Sequence, residues 1–167
     1  MAEGWVINAS PIILLAKIKL IQHVPKMAQP LVVPEPVAQE VLQGPADDPA
    51  ARWLSGPGHE FRRPAVIEPQ VLAEAAIGAG ERSVIAWALA HPGFAAILDD
   101  AAARLHAQRL DVVVFGTVRV LLRLKVAGLI PEVKSHLIQM RQSGGHITDA
   151  LLEAALSEAG ERPGKVI

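Results

Sequence analysis

Four carboxylates, Glu40, Glu81, Asp99 and Asp100, are spread over a chain of 167 residues, and each sits beside a short apolar run or at a helical segment. Asn8, Ser10 and Thr117 add neutral oxygens in similar settings. Carboxylates that converge in one cleft repel each other. A divalent cation relieves that repulsion, and hard oxygen donors suit Mg²⁺ or Mn²⁺. Such an ion orients a phosphate and lowers the pKa of a bound water, so that hydroxide attacks; two ions about 3.5–4 Å apart do both.

Each of these residues also has an ordinary structural use. Glu81 opens a helix, where an acidic side chain favours the helix dipole. Asp100 precedes Ala101-Ala102-Ala103 and suits an N-cap. Ser10 suits a cap as well, and Glu40 suits a solvated helix face. Asp99, at the buried end of a strand, has the least structural excuse, because carboxylates are seldom buried unless paired. The set carries the functional reading, and no single member does.

The elements that must gather them alternate along the chain. Strands are expected at Trp5–Ile7, Leu31–Val33, Ala65–Ile67, Ala95–Leu98 and Val112–Phe115. Helices are expected at Ile12–Leu20 (Ser10 as N-cap, Pro11 first), Pro36–Leu42, Pro49–Leu54 and Gln70–Ile77. Further helices are expected at Glu81–Ala90, Ala101–Arg109, Val118–Ala127, Glu132–Gln142 and, capped by Thr148, Asp149–Ala159. Strand–helix alternation with short connections marks an α/β domain with a mostly parallel sheet. Right-handed crossovers bring the strand carboxyl ends to one rim, where open α/β sheets bind ligands. Asn8-Ala9-Ser10, Pro34-Glu35, Asp99-Asp100 and Gly116-Thr117 follow the strands. Glu81 joins them if its helix opens toward that rim, and Glu40 if its helix face turns inward.

Composition narrows the classes. Hydrophobic residues are 51% and charged residues 20%, which excludes disorder. The net charge of -1 argues against coating nucleic acid through bulk charge, though not against a local basic patch. Cys is 0, which excludes disulfides, thiolate catalysis and Cys-ligated zinc. Aromatics are 4%, too few for a base-stacking platform. No apolar run approaches the roughly 20 residues of a bilayer span, and the start Met-Ala-Glu-Gly-Trp has no basic leader. A cytoplasmic protein is expected. There is no P-loop, no Gly-x-Gly-x-x-Gly after the first strand, no His-x-x-x-His and no Gly-x-Ser-x-Gly.

Val6-Ile7-Asn8-Ala9-Ser10-Pro11-Ile12, followed by Leu15-Ala16-Lys17-Ile18, resembles the opening of PIN domains, where a strand ends in Asp-x-Ser or Asp-x-Thr. Val33-Pro34-Glu35-Pro36-Val37 with Glu40-Val41-Leu42 is similar to the second acidic motif. Gly80-Glu81-Arg82-Ser83-Val84-Ile85-Ala86 resembles the third, and Ile97-Leu98-Asp99-Asp100 with Arg104 the fourth. Gly116-Thr117-Val118, Gly128-Leu129-Ile130-Pro131 and the turn Ser143 to Asp149 resemble the tail of a prokaryotic PIN-like branch related to VapC-type toxins.

The resemblance runs from about Trp5 to Gly160. It implies a single three-layer PIN-like α/β domain over 1–167, with a mostly parallel central sheet flanked by helices. It also implies a Mg²⁺- or Mn²⁺-dependent ribonuclease, a homodimer and a small antitoxin partner. Glu40, Glu81 and Asp99 or Asp100 would hold the metal. Asn8 falls where the family has its first Asp. A carboxamide oxygen can coordinate a hard cation but brings no negative charge, so metal affinity and water activation should weaken unless Asp99 and Asp100 together compensate.

Two functions follow, with a third behind them. The first is an endoribonuclease in which Glu40, Glu81, Asp99 and Asp100 are catalytic. Asn8, Glu81, Asp99 and Asp100 would touch metal, Ser10 and Thr117 would orient phosphate or water, and Arg82 and Arg104 would contact the RNA backbone. The second is a catalytically silent binding or assembly protein on the same fold, dimerising through helices such as Val118–Ala127. The third is a small-molecule or nucleotide-binding α/β domain.

Overall fold

Gly4–Ile7 (β1), Leu31–Pro34 (β2), Arg62–Arg63 (β3), Phe94–Ile97 (β4) and Val114–Phe115 (β5) form a five-stranded sheet in the order β3-β2-β1-β4-β5. Every pairing is parallel, with Ile7 beside Ile97 and Val6 beside Val32 in register. The computed structural model describes residues 4–161. They fall into two compact units, one ending at Thr117 and one beginning at Val118. The ends of the expected 1–167 domain thus lie outside the described residues.

The first unit holds the sheet. Between strands run Ala9–Lys17 (α1), Val24–Met27 (α2), Glu35–Leu42 (α3), Pro49–Ser55 (α4), Gln70–Ala73 (α5), Ala79–Ala90 (α6) and Ala101–Arg109 (α7). β1 and β4 are buried along nearly their whole length, with Trp5, Val6, Ile7, Ala95, Ala96 and Ile97 in the core. Continuous apolar strands of this kind need cover on both faces, which parallel sheets obtain from crossover helices. Ile12 and Leu15 of α1 and Val84 and Ile85 of α6 are fully buried. Burying a side chain of that size contributes about 1.5–3 kcal/mol.

Three local expectations change. The third strand is Arg62–Arg63 rather than Ala65–Ile67. Pro64 has no N–H to continue the ladder, and Ile67 beyond it is 95% exposed. The first helix begins at Ala9, so Asn8 occupies the N-cap position and Ser10 lies inside the helix. That helix ends earlier than Leu20, where Lys19 takes a left-handed φ of 61°. The segment Gln70–Ile77 is only one turn of helix, α5.

The second unit is helical. It contains all but the first residue of Thr117–Val126 (α8), together with Lys134–Gln142 (α9) and Asp149–Glu158 (α10). Thr148 caps α10, its hydroxyl accepting from Leu151 N–H at 3.1 Å. Glu161 closes the unit. One oxygen accepts from Lys125 Nζ and Val133 N–H, each at 2.7 Å, and the other accepts from Lys134 N–H at 3.0 Å. The expectation that α8 offers an apolar surface to a second copy meets a correction. Val120, Leu121, Leu122 and Leu124 are buried within the chain, and Val126 alone among its apolar side chains is almost fully exposed, at 91%. No helix among the described residues is long and apolar enough to cross a membrane.

Candidate functional site

Because every strand is parallel, all carboxyl ends share one rim. β1 delivers Asn8 to it. Asn8 N–H donates to Ile97 O at 3.1 Å, which extends the β1–β4 ladder by one step. Its φ of -84° and ψ of 168° are ordinary for an N-cap, yet its side chain makes no capping bond. Asn is among the best N-caps because its oxygen accepts from the first turn. Here that oxygen, Oδ1, is buried with no hydrogen-bond partner, on a residue only 3% exposed. A buried polar atom left unpaired costs about 1–3 kcal/mol, so its orientation calls for a reason.

The neighbours supply that reason. A Cβ on Gly80 would lie 2.9 Å from Glu40 Oε2 and 3.0 Å from Asn8 Oδ1. Two acceptor oxygens from α3 and the β1 end therefore face one small space, and glycine at 80 leaves it open. Gly80 itself is fixed in the first turn of α6, where buried Ser83 donates its hydroxyl to Gly80 O at 2.7 Å. Glu81 follows on the same turn, and its carboxylate folds back over Gly78. Glu40 is held above the usual carboxylate range, first by desolvation and second by the negative charge of Glu81. Mutual repulsion of that kind is what a cation relieves.

The other carboxylates are differently employed. Asp99 leaves β4 and meets Thr117, where Thr117 N–H donates to Oδ1 at 2.8 Å and Thr117 Oγ1 donates to Oδ2 at 2.6 Å. A Cβ on Gly116 would lie 2.8 Å from Asp99 Oδ1 and 3.3 Å from Arg104 Nη1. Glycine at 116 thus permits the carboxylate to close on the chain, with the Arg104 guanidinium alongside. Asp100 is the N-cap of α7, accepting from Ala103 N–H at 2.8 Å, and it is exposed.

The basic and hydroxyl residues divide too. Arg82 donates to Glu68 before α5 and, at 2.8 Å, to Ile77 O after it, so it ties the segments on both sides of α5 to α6. Arg104 is half-buried and makes no ion pair among the described residues. Ser10 is exposed on the first turn of α1. Thr117 is fully buried, its proton given to Asp99 rather than offered outward. Sequence reasoning missed Gly80 and Gly116 as space-making residues. A glycine directly before a helix-opening Glu, and another directly before a strand-end Thr, were the available signals.

Among the described residues, no three His, Asp or Glu side chains converge as a metal-binding group. What meets at Gly80 is the exposed Glu40 and the neutral carboxamide of Asn8, with the Glu81 carboxylate folded back over Gly78 but close enough to repel Glu40. The donors are all hard oxygens, one of them buried and unpartnered, around a space that a single Cβ would fill. Their chemistry fits a hard divalent cation such as Mg²⁺ or Mn²⁺, but with two negative charges rather than three.

An all-parallel α/β sheet takes its ligands outside the carboxyl ends of its strands, the rim at which Asn8 lies. A family model described as a PIN domain matches residues 4–161, and the chain belongs to that family. PIN domains generally include metal-dependent nucleases and usually use divalent ions. Comparisons with curated proteins and with solved structures returned no match.

Proposed function

We propose that this chain is a divalent-metal-dependent endoribonuclease of PIN type, its pocket formed by Asn8, Glu40 and Glu81. The observation that carries the reading is the buried, unpartnered Asn8 Oδ1 facing Glu40 across the space left by Gly80. These three residues would hold Mg²⁺ or Mn²⁺. The ion, when bound, supplies a polarised water and neutralises phosphate charge.

The remaining roles belong to the chain's own side chains. Asp99, fixed by Thr117, keeps lone pairs free on both oxygens and can accept a proton or a water at the rim. Thr117 positions Asp99 and does not itself touch phosphate. Arg104 beside Asp99 presents a guanidinium that matches a phosphate. Ser10, exposed at the rim, is available to a substrate phosphate. Asp100 and Arg82 are left to their structural bonds. The reading treats 1–167 as one functional domain, since the family match spans both units.

The resemblance to VapC-type toxins extends the proposal to a toxin with a small antitoxin partner and a homodimeric state. Growth arrest on expression, relieved by a neighbouring small gene, would support that extension. The direct test incubates purified protein with RNA and Mn²⁺. Cleavage abolished by EDTA supports the nuclease; intact RNA under all conditions removes it. Asn8 itself favours a second reading, a silent PIN fold that binds without cutting. Under that reading the natural chain is inert and the Asn8→Asp variant cuts.

A further inference from the structure

No Asp or Glu occurs from Gly4 to Pro34, a stretch that contains Lys17, Lys19 and Lys26. All three lysines are exposed, and none makes an ion pair among the described residues. Ile18, Leu20, Ile21 and Val24 between them are buried, so the segment is pinned with its charges outward. α4 packs against α1 and adds Arg52, exposed and its only charged residue.

Lys19 occupies an unusual backbone position. Its N–H donates to Ala16 O at 3.1 Å, and Leu20 N–H donates to Leu15 O at 2.8 Å, which gives α1 a Schellman ending. Gln22 Nε2 braces the turn by donating to Lys19 O at 2.7 Å. This ending sets φ at 61° at position 19, where glycine is the usual residue because a Cβ is strained there. Lys17 closes α1, where a cation suits the helix dipole. Lys19 has no such use in the fold, and a strained residue with a free charge points to a use outside it.

α1 links this segment to the rim. It starts beside Asn8 and runs toward the opposite edge of the sheet, because the chain must return there to begin β2 parallel to β1. Nine residues at the helical rise span about 14 Å. Ser10, Ile13 and Lys17 share one face of the helix by their spacing. Ser10 and Lys17 are exposed and Ile13 is half-buried.

We propose that Lys17, Lys19 and Lys26 form an anchoring surface for the phosphate backbone of single-stranded RNA, reached from the rim along the exposed face of α1. The proposal takes the identity of its polyanion from the ribonuclease reading and extends the RNA path beyond the pocket. Lysine contacts to phosphate hold a strand without reading its sequence. They need no cation, so the anchor works whether or not the rim is loaded. A lipid surface fits less well, since interfacial binding buries an apolar face and the apolar residues among these lysines are already buried.

The test measures binding of a labelled, non-cleavable 2′-O-methyl single-stranded RNA in EDTA, by fluorescence anisotropy over a salt series. Lys17→Gln, Lys19→Gln and Lys26→Gln combined should weaken binding about tenfold and lower the salt slope by about 2, at roughly 0.7 for each lost phosphate contact on a single strand. Lys19→Gly alone should raise the melting temperature while still weakening RNA binding. An unchanged affinity and slope in the triple variant overturns the proposal, and cleavage of ordinary RNA with Mn²⁺ then judges the ribonuclease reading separately. Lysine-dependent binding without any such cleavage upholds the anchor and removes the ribonuclease. Lysine-dependent binding to phosphatidylglycerol vesicles, with none to RNA, overturns the proposal.

Discussion

Thr117 grips Asp99 at both carboxylate oxygens, its backbone N–H on Oδ1 at 2.8 Å and its hydroxyl on Oδ2 at 2.6 Å. The two residues come from different strand ends, β4 and β5, which are hydrogen-bonded neighbours. Hydrogen bonds to a charged group contribute about 1.5–3 kcal/mol each, more than neutral ones. Thr117 is therefore a positioning residue for Asp99, with a cost that can be measured.

Thr117→Val keeps the side-chain shape and removes the hydroxyl donor. The variant should lose about 1.5–3 kcal/mol of stability and cut RNA more slowly, with kcat falling more than KM rises. Thr117→Ser should recover most of both. Urea unfolding with steady-state cleavage checks the pair, and an unchanged Thr117→Val would remove the grip from the mechanism.

Gly80→Ala separates stability from site. Alanine improves an α-helix over glycine by about 0.8–1 kcal/mol, so the fold should tolerate it. The new Cβ would lie 2.9 Å from Glu40 Oε2 and 3.0 Å from buried Asn8 Oδ1, and the pocket should close. The expected outcome is a melting temperature near that of the natural chain together with loss of Mn²⁺ binding. Retained Mn²⁺ affinity would show that the ion sits elsewhere.

Two carboxylates respond to pH in opposite directions. Glu40 is raised above its ordinary 4.5, first by burial and then by Glu81. The folded chain thus binds that proton more tightly than the unfolded chain. Its favourable effect is complete below 4.5 and fades as pH climbs through the raised folded value. Glu35 is lowered, chiefly by its hydrogen bond from Arg62, with burial opposing. Its stabilisation is present above 4.5 and disappears as pH falls through the lowered folded value. At about pH 7, Glu40→Gln should raise the urea midpoint and Glu35→Gln should lower it. At pH values below both transitions each difference should shrink, which a pH series of urea titrations reads directly.

Asp100 and Arg104 test the division between structure and site. Asp100→Ala removes the α7 cap and should cost about 1 kcal/mol, with Mn²⁺ binding unaltered. Arg104→Gln should leave the melting temperature in place and weaken RNA binding, lowering the salt slope of affinity by about one phosphate contact. Fluorescence anisotropy across a salt series distinguishes them. A variant pair with these effects exchanged would reverse the assignment.

Much of the scaffold is readable before folding. Trp5-Val6-Ile7, Leu31-Val32-Val33 and Ala95-Ala96-Ile97 are continuous apolar runs, because a strand covered on both faces needs no polar side. Thr148 was equally legible, since a cap depends on neighbours within one turn, whereas α6 opens at Ala79, two residues before the expected Glu81, with Gly80 inside its first turn. The third strand was misplaced because Ala65-Val66-Ile67 has the composition of a strand, while its exposure is set by Pro64 and by what β2 can pair with. The roles of single acidic residues were less legible. Asp99 and Asp100 are adjacent and chemically alike, yet one meets a threonine 18 positions away and the other caps its own helix.

By itself the sequence determined the α/β class and the rim at which its parallel strands end, because periodicity and short-range propensity act through nearest neighbours along the chain. Only the tertiary structure decided which oxygens meet: Asn8 and Glu40 at Gly80, with Glu81 near enough to repel Glu40 and Asp99 drawn to Thr117. Those pairings join strands and helices distant in sequence, and the burial and repulsion that define them exist only once the elements have packed.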